Sequence, residues 1–244
     1  MVTVNFESWL IGFIEGEGSF VSSGSGPVFS IVQKDGEDIM LKMKEFFGTG
    51  RIYQRKDGIW FLAISGQDCW PVRNLCEGKL QLDKKRMQFE RWKESRWYNL
   101  SSLWYRRYTN TDFVFEDWLI GFIEAEGSFT SLGNGIYPEF SIAQKDEKET
   151  IERIQRFFGC GKVAKTGNGA AWQLRISGRD DCEKVKVFCE GKLQLEKRRV
   201  QFEGWKQLKW EKTIDYKPDR KFRQVLQLYK AESNANGKVP LLNV

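Results

Sequence analysis

The chain has 244 residues, 41% of them hydrophobic, with 10 Trp and 18 Phe; that is enough for one large domain or two small ones with sizeable cores, and too apolar for a disordered chain. Its net charge of +6 and pI near 9.0 favour a polyanionic partner, either nucleic acid or an anionic membrane surface. There is no histidine, which excludes His general bases, His-ligated zinc and Ser-His-Asp triads, and no apolar run approaches the roughly 18 residues of a membrane-spanning helix.

The amino terminus, MVTVNFESWL, lacks the basic start and cleavage site of a signal peptide. Residues 6–17 read as an apolar helix, and residues 18–23 and 27–34 as strands joined by the SSGSG turn. IMLKMKEFFG is an amphipathic helix ended by Gly48. Two more strands, near 50–55 and 59–65, turn at Asp57-Gly58. In the second of these, Trp60, Leu62 and Ile64 alternate with Phe61 and Ala63, and the first set is predicted to be buried. Helices near 67–77 and 82–95 close the unit. Residues 96–115 form a connection, after which the unit repeats over 116–210. Residues 211–244 are an extension in which Pro218 starts a short helix to about Tyr229.

The repeat is close. WLIGFIEGEGSF, Trp9 to Phe20, returns as WLIGFIEAEGSF, Trp118 to Phe129, with only Gly16 changed, to Ala125. FSIVQKD returns as FSIAQKD, FFGTG as FFGCG, and CEGKLQL unchanged. The spacing between copies widens along the chain, so short loop insertions separate the halves. Two copies make a pseudo-dimer in one chain and not a solenoid. The expected fold is α+β: two αββαββα subdomains, residues 1–95 and 116–210, related by pseudo-twofold symmetry. Cys69 and Cys76 are seven apart, as are Cys182 and Cys189, and Cys160 is left over. An odd count without CxxC suits buried thiols in a reducing compartment.

Gly12 and Gly16, like Gly121 and Ala125, sit four apart on one helix face, where small residues let two helix backbones approach. Two such helices most simply pack on each other about the pseudo-twofold axis. Glu17 and Glu126 end these helices, where the partial negative charge makes a carboxylate unfavourable. Side by side they also repel, and a divalent cation would relieve both costs. Helical periodicity alone does not choose between Glu15 and Glu17, which point about 200° apart.

LIGFIEGEG and LIGFIEAEG resemble the signature of the LAGLIDADG homing endonucleases, in the single-chain form that carries two motifs. The resemblance spans roughly residues 5–210 and includes the strand-ending QKD and the closing K-x-x-x-F-x-x-W pattern. It implies motif helices at the centre, antiparallel sheets forming a DNA-binding saddle, and a monomeric nuclease cutting both strands of a long, non-palindromic duplex. It implies Glu17 and Glu126 as catalytic acids that bind Mg²⁺, or another divalent cation such as Mn²⁺. Glu15 and Glu124 match a position that is usually structural in the family. Gln33 and Gln144 match a residue that orders active-site water. Lys85 matches a family lysine near the cleaved phosphates, and the second half has Arg198 there, with Lys197 as a possible substitute.

For the saddle, strand alternation nominates Ser19, Val21, Ser23, Ser30, Val32, Tyr53, Arg55 and Phe61 as DNA-facing in the first half. In the second half it nominates Ser128, Thr130, Ser141, Ala143, Lys162, Gln173 and Arg175. Arg55 and Arg175 could pair bidentately with guanine. The competing reading is a non-cleaving binder of the same fold, either an intron RNA maturase or a DNA-binding regulator. The chain is expected to act inside a cell without a membrane partner, in an organelle matrix or a prokaryotic cytoplasm.

Overall fold

The structure, a computed structural model, describes residues 4–24, 26–95, 112–132 and 137–208. Most of the connection and all of the extension from residue 211, with its expected helix, lie outside the described residues, as does the side chain of Ser23.

The first half runs α1 Phe6–Glu17, β1 Gly18–Ser23, β2 Gly26–Lys34, α2 Glu37–Phe47, β3 Arg51–Gln54, β4 Ile59–Ser65, α3 Trp70–Cys76 and α4 Asp83–Lys93. The second repeats it as α5 Phe115–Glu126, β5 Gly127–Leu132, β6 Tyr137–Gln144, α6 Lys148–Phe158, β7 Lys162–Lys165, β8 Trp172–Ser177, α7 Arg179–Cys189 and α8 Glu196–Lys206. Each half carries one antiparallel sheet, ordered β1-β2-β4-β3 and β5-β6-β8-β7. Two helices close each half, as expected near 67–77 and 82–95. The first halves of these helix pairs differ, because Pro71 has no N–H for a mid-helix bond. Gly66–Cys69 is therefore a 3₁₀ turn before α3, whereas α7 starts at Arg179 and runs unbroken.

Asn5 caps α1, its Oδ1 accepting from Ser8 N at 3.0 Å, and its own N–H donates to Asp117 at 2.9 Å in the other half. Gly48 ends α2 in the left-handed conformation, φ 68°. The register of the sheets puts Phe29, Ile31, Leu62 and Ile64 on one face, with Phe140, Ile142, Leu174 and Ile176 as their counterparts. All eight are buried in a core that runs continuously through both halves. Trp92 Nε1 donates to Val28 O at 3.0 Å, and Trp205 Nε1 to Glu139 O at 3.1 Å, pinning each last helix to its sheet. All five cysteines are free, four of them buried, and burial pushes the Cys69 thiol up to about 12.

The halves meet where α1 crosses α5. A Cβ built on Gly12 would lie 1.9 Å from Trp118 O, and one on Gly121 1.9 Å from Trp9 O. The backbones touch, as the four-residue spacing of small residues predicts. A Cβ on Gly16 would lie 2.3 Å from Ala125 Cβ, so this level of the interface has room for one methyl group, not two. That is the one position at which the repeated phrase differs. Replacing Gly12 or Gly121 with Ala is expected to cost about 3 kcal/mol or more, because backbone must move. Ala125→Gly is expected to cost only about 1 kcal/mol. Urea denaturation of the three variants checks the ranking.

Candidate active site

α1 and α5 end side by side, and Gly18 and Gly127 turn the chain directly into β1 and β5. A Cβ on Gly16 would sit 3.1 Å from Glu126 Cγ and 3.4 Å from its Oε1, so the Glu126 side chain lies along the end of α1. Burial, then the neighbouring Glu126, pushes Glu17 up to about 7, against the pull of Arg198, Lys197 and Lys85. Burial also raises Glu126, opposed by Gln144, Lys85 and Arg198. Gln144 Nε2 donates to Glu126 Oε1 at 3.3 Å. Gln33 makes no matching bond to Glu17 among the described residues; its Oε1 accepts from Lys34 N at 3.1 Å.

The cations also differ. Lys85 Nζ donates to Gly18 O at 2.6 Å, just beyond the end of α1. Arg198 donates from Nε to Glu124 O at 2.7 Å and from Nη2 to Ala125 O at 3.1 Å, clamping carbonyls within the last turn of α5. Both neutralise the negative end of a helix. Lys197 lies in the field of Asp35 and Glu17 of the first half.

Glu15 and Glu124 have a different task. Glu15 Oε2 accepts from Trp118 Nε1 at 2.5 Å, and its Oε1 from Gln81 N at 2.8 Å and Leu82 N at 2.6 Å. Glu124 repeats this with Trp9, Gln194 and Leu195. Each carboxylate is buried and crosses to a tryptophan of the other half. Burial still pushes both up to about 7, against three N–H donors apiece. Geometry thus separates the acids that periodicity left open: Glu15 and Glu124 face inward, and Glu17 and Glu126 lie at the helix ends.

Glu147 carries little sequence signal. Its carboxylate accepts from Lys84 N at 2.8 Å and Asp83 N at 3.2 Å, capping α4 of the other half beside Lys85. The first copy has Gly36 at this place, and the α8 N-cap residue, Leu195, makes no side-chain cap bond. The only signal available is QKDE standing where the first copy reads QKDG.

The second sheet faces point away from the helices. Register puts Ser19, Val21, Ser30, Val32, Phe61 and Tyr53 on one such face, and Ser128, Thr130, Ala143, Gln173, Arg175 and Lys162 on the other. Arg55 follows β3 and pairs with Asp57 at 2.9 Å. Tyr53 stacks on Phe61 at 4.8 Å in the open. Ser141 departs from expectation: it lies on this face but is only 9% exposed, a short side chain between Glu139 and the opposing Arg175. Val28, Arg51, Ala63 and Glu139 share these faces and were not nominated from alternation.

The sequence profile of the LAGLIDADG endonucleases matches residues 10–95 and 119–209. This chain belongs to the LAGLIDADG endonuclease family. It is 29% identical over 176 residues to "Probable intron-encoded endonuclease 4" of Neurospora crassa, covering 63% of this chain and 31% of that one. It is 34% identical over 93 residues to "Probable intron-encoded endonuclease aI3" of Dictyostelium citrinum, covering 38% and 37%. The chain therefore spans about a third of the length of these curated relatives. The fold matches the LAGLIDADG homing endonuclease I-GzeII, solved in complex with its DNA target, with a TM-score of 0.66 at 18% identity over 96% of this chain and 94% of that one.

In this LAGLIDADG chain no group of three or more His, Cys, Asp or Glu gathers into a metal cluster among the described residues. Two carboxylates alone suit a hard cation such as Mg²⁺, whose other positions are filled by water or phosphate oxygen, and not a structural zinc. Among the described residues no helix is long and apolar enough to cross a membrane.

The raised acids set a pH dependence. Glu15, Glu17 and Glu124 stand near 7 against an ordinary 4.5, so the folded chain holds these protons more tightly than the unfolded one. Their stabilising contribution is full below about pH 4.5 and is lost as pH rises through about 7. Glu17→Gln removes one such group. Its melting temperature, relative to the parent, is expected to climb between about pH 5 and pH 8 in metal-free buffer. A difference that stays flat over this range would contradict the assigned environment.

Proposed function

We propose that the chain is a divalent-metal-dependent endonuclease that hydrolyses both strands of a specific, non-palindromic DNA duplex. One observation carries this reading: the Glu17–Glu126 pair at the helix ends, with Lys85, Lys197 and Arg198 around it. A half-buried pair of like charges is unfavourable by itself, and the site gains from a cation. Glu17 and Glu126 would hold Mg²⁺ or Mn²⁺, which when bound polarises a phosphodiester and acidifies water. Gln144 orients the Glu126 carboxylate. Lys85 and Lys197 offer positive charge to the phosphates on either side. Arg198 holds the end of α5.

Most of the residues expected to meet DNA bases lie on the two open sheet faces, which suit a major groove. The halves, residues 1–95 and 116–210, share their cores and differ on these faces, so their half-sites differ too. With both motif helices in one chain, the site needs no second copy.

Glu17→Gln combined with Glu126→Gln is expected to abolish cleavage and to preserve duplex binding. The check is a randomised duplex library assayed with and without Mg²⁺. Cutting by the double variant would sink the acid assignment. Tight binding of structured intron RNA by the parent, without cutting, would favour a maturase instead.

Arg198 is committed to two helix carbonyls, whereas Lys85 is held at one. The two strands are therefore expected to be nicked at unequal rates, so open-circle plasmid accumulates during digestion of a supercoiled substrate. Arg198→Lys should bring the rates closer. Equal rates in the parent would remove the distinction between the cations.

A further inference from the structure

The second sheet carries a charged group on its open face that the first lacks. Glu139 is 8% exposed, although its side chain belongs to the open face. Its Oε2 accepts no hydrogen bond among the described residues. The charge facing it is Arg175, whose Nε lies 3.6 Å from that oxygen, longer than a hydrogen bond. Arg175 Nη2 donates to Gln173 Oε1 at 3.2 Å. The guanidinium is thus flanked on its Nε side by Glu139 and on its Nη2 side by Gln173. Its Nη1 group has no hydrogen-bond partner among the described residues, and the side chain is 56% exposed.

The first half shows what the frame needs without this group. Val28 and Ala63 occupy the equivalent places, next in sequence to Phe29 and Ile64, which match Phe140 and Ile176. The sheet closes there with two small apolar residues. A nearly buried carboxylate is therefore not required by the fold, and it costs desolvation. It also repels phosphate, so it is misplaced if Arg175 serves only as a backbone anchor. A carboxylate beside Nε is useful where the guanidinium plane must be fixed, because the free Nη edge then meets a planar, two-acceptor partner. Among base edges in the major groove, guanine offers that pair as O6 and N7.

We infer that Arg175 reads a guanine in the half-site under the second sheet, and that Glu139, with Gln173, is a positioning residue for it. This rests on the DNA-binding reading above. It also makes the two half-sites unequal in kind, since Val28 and Ala63 have no polar group for the corresponding base pair of the first half-site.

The test is a randomised duplex library profiled twice: by binding enrichment in EDTA and by sequencing of ends cut with Mg²⁺. The parent is expected to prefer guanine at one base pair of one half-site, without a counterpart in the other. Arg175→Ala should lower that preference roughly tenfold and leave the remaining positions unchanged. Glu139→Gln should weaken it at the same base pair alone. Glu139→Val with Arg175→Ala copies the first half, removes both charges together, and should fold while showing no preference there. Preferences retained at the other positions serve as the control for folding. A profile unmoved by Arg175→Ala overturns the inference. A preference that survives Arg175→Ala and is lost in Glu139→Gln also overturns it, since the contact would then belong to the carboxylate. Binding enrichment that depends on Arg175, without cut ends, supports the inference and counts against the nuclease reading. Cut ends without an Arg175-dependent guanine do the reverse.

Discussion

At Gly12 and Gly121 the backbones of α1 and α5 are in contact, and everything else in the molecule is placed from there. Contact this close leaves no room for side chains on the axis. The large groups are displaced outward, so Trp9 and Trp118 lie against the other half and donate to Glu124 and Glu15. Those carboxylates in turn hold the backbone that leads into the last helix of their own half, through Gln194 and Leu195 or Gln81 and Leu82. One close approach thereby fixes the helix pair, the exchanged tryptophans and the elements that carry Lys85 and Arg198. Stability and site geometry share a single constraint.

The same approach creates the electrostatic problem that the site exploits. Two helix carboxyl ends meet, each with a glutamate in its last turn. Lys85 and Arg198 satisfy carbonyls at those ends and offset part of the negative field. Glu17 and Glu126 are nonetheless raised, both chiefly by burial and Glu17 also by the neighbouring Glu126. The centre is nearly symmetric in its acids and asymmetric in everything that surrounds them: Gln144 against Gln33, Arg198 against Lys85, and Glu147 against Gly36.

Much of this was legible in the sequence, for identifiable reasons. The repeat aligned the elements, strand alternation separated the inward face from the open one, and small residues four apart marked the helix contact. The helix expected over 67–77 runs through Pro71, whereas the α-helix starts only at Trp70. Long-range partnerships were not legible. Nothing in Glu15 or Glu124 says that a tryptophan of the other half is its donor. Glu147 reads as a surface charge until α4 is seen to begin at its carboxylate. Ser141 reads as an open strand residue, and only the register shows that Arg175 stands opposite it.

The reciprocity of the helix contact has a consequence for assembly. Each half presents to its partner the same glycine, the same tryptophan and the same buried acid that it receives. The complementary half of a second copy of the chain would be accepted as readily, because it brings the same contacts, including the Gly16–Ala125 level and the Glu147 cap on α4 that differ between the halves. Selection of the correct partner then falls to the covalent connection, which raises the local concentration of one candidate above all others. Fidelity of pairing is a property of the tether, not of the surface it joins. A surface relieved of that duty can stay nearly the same in both halves while the sheets beside it diverge.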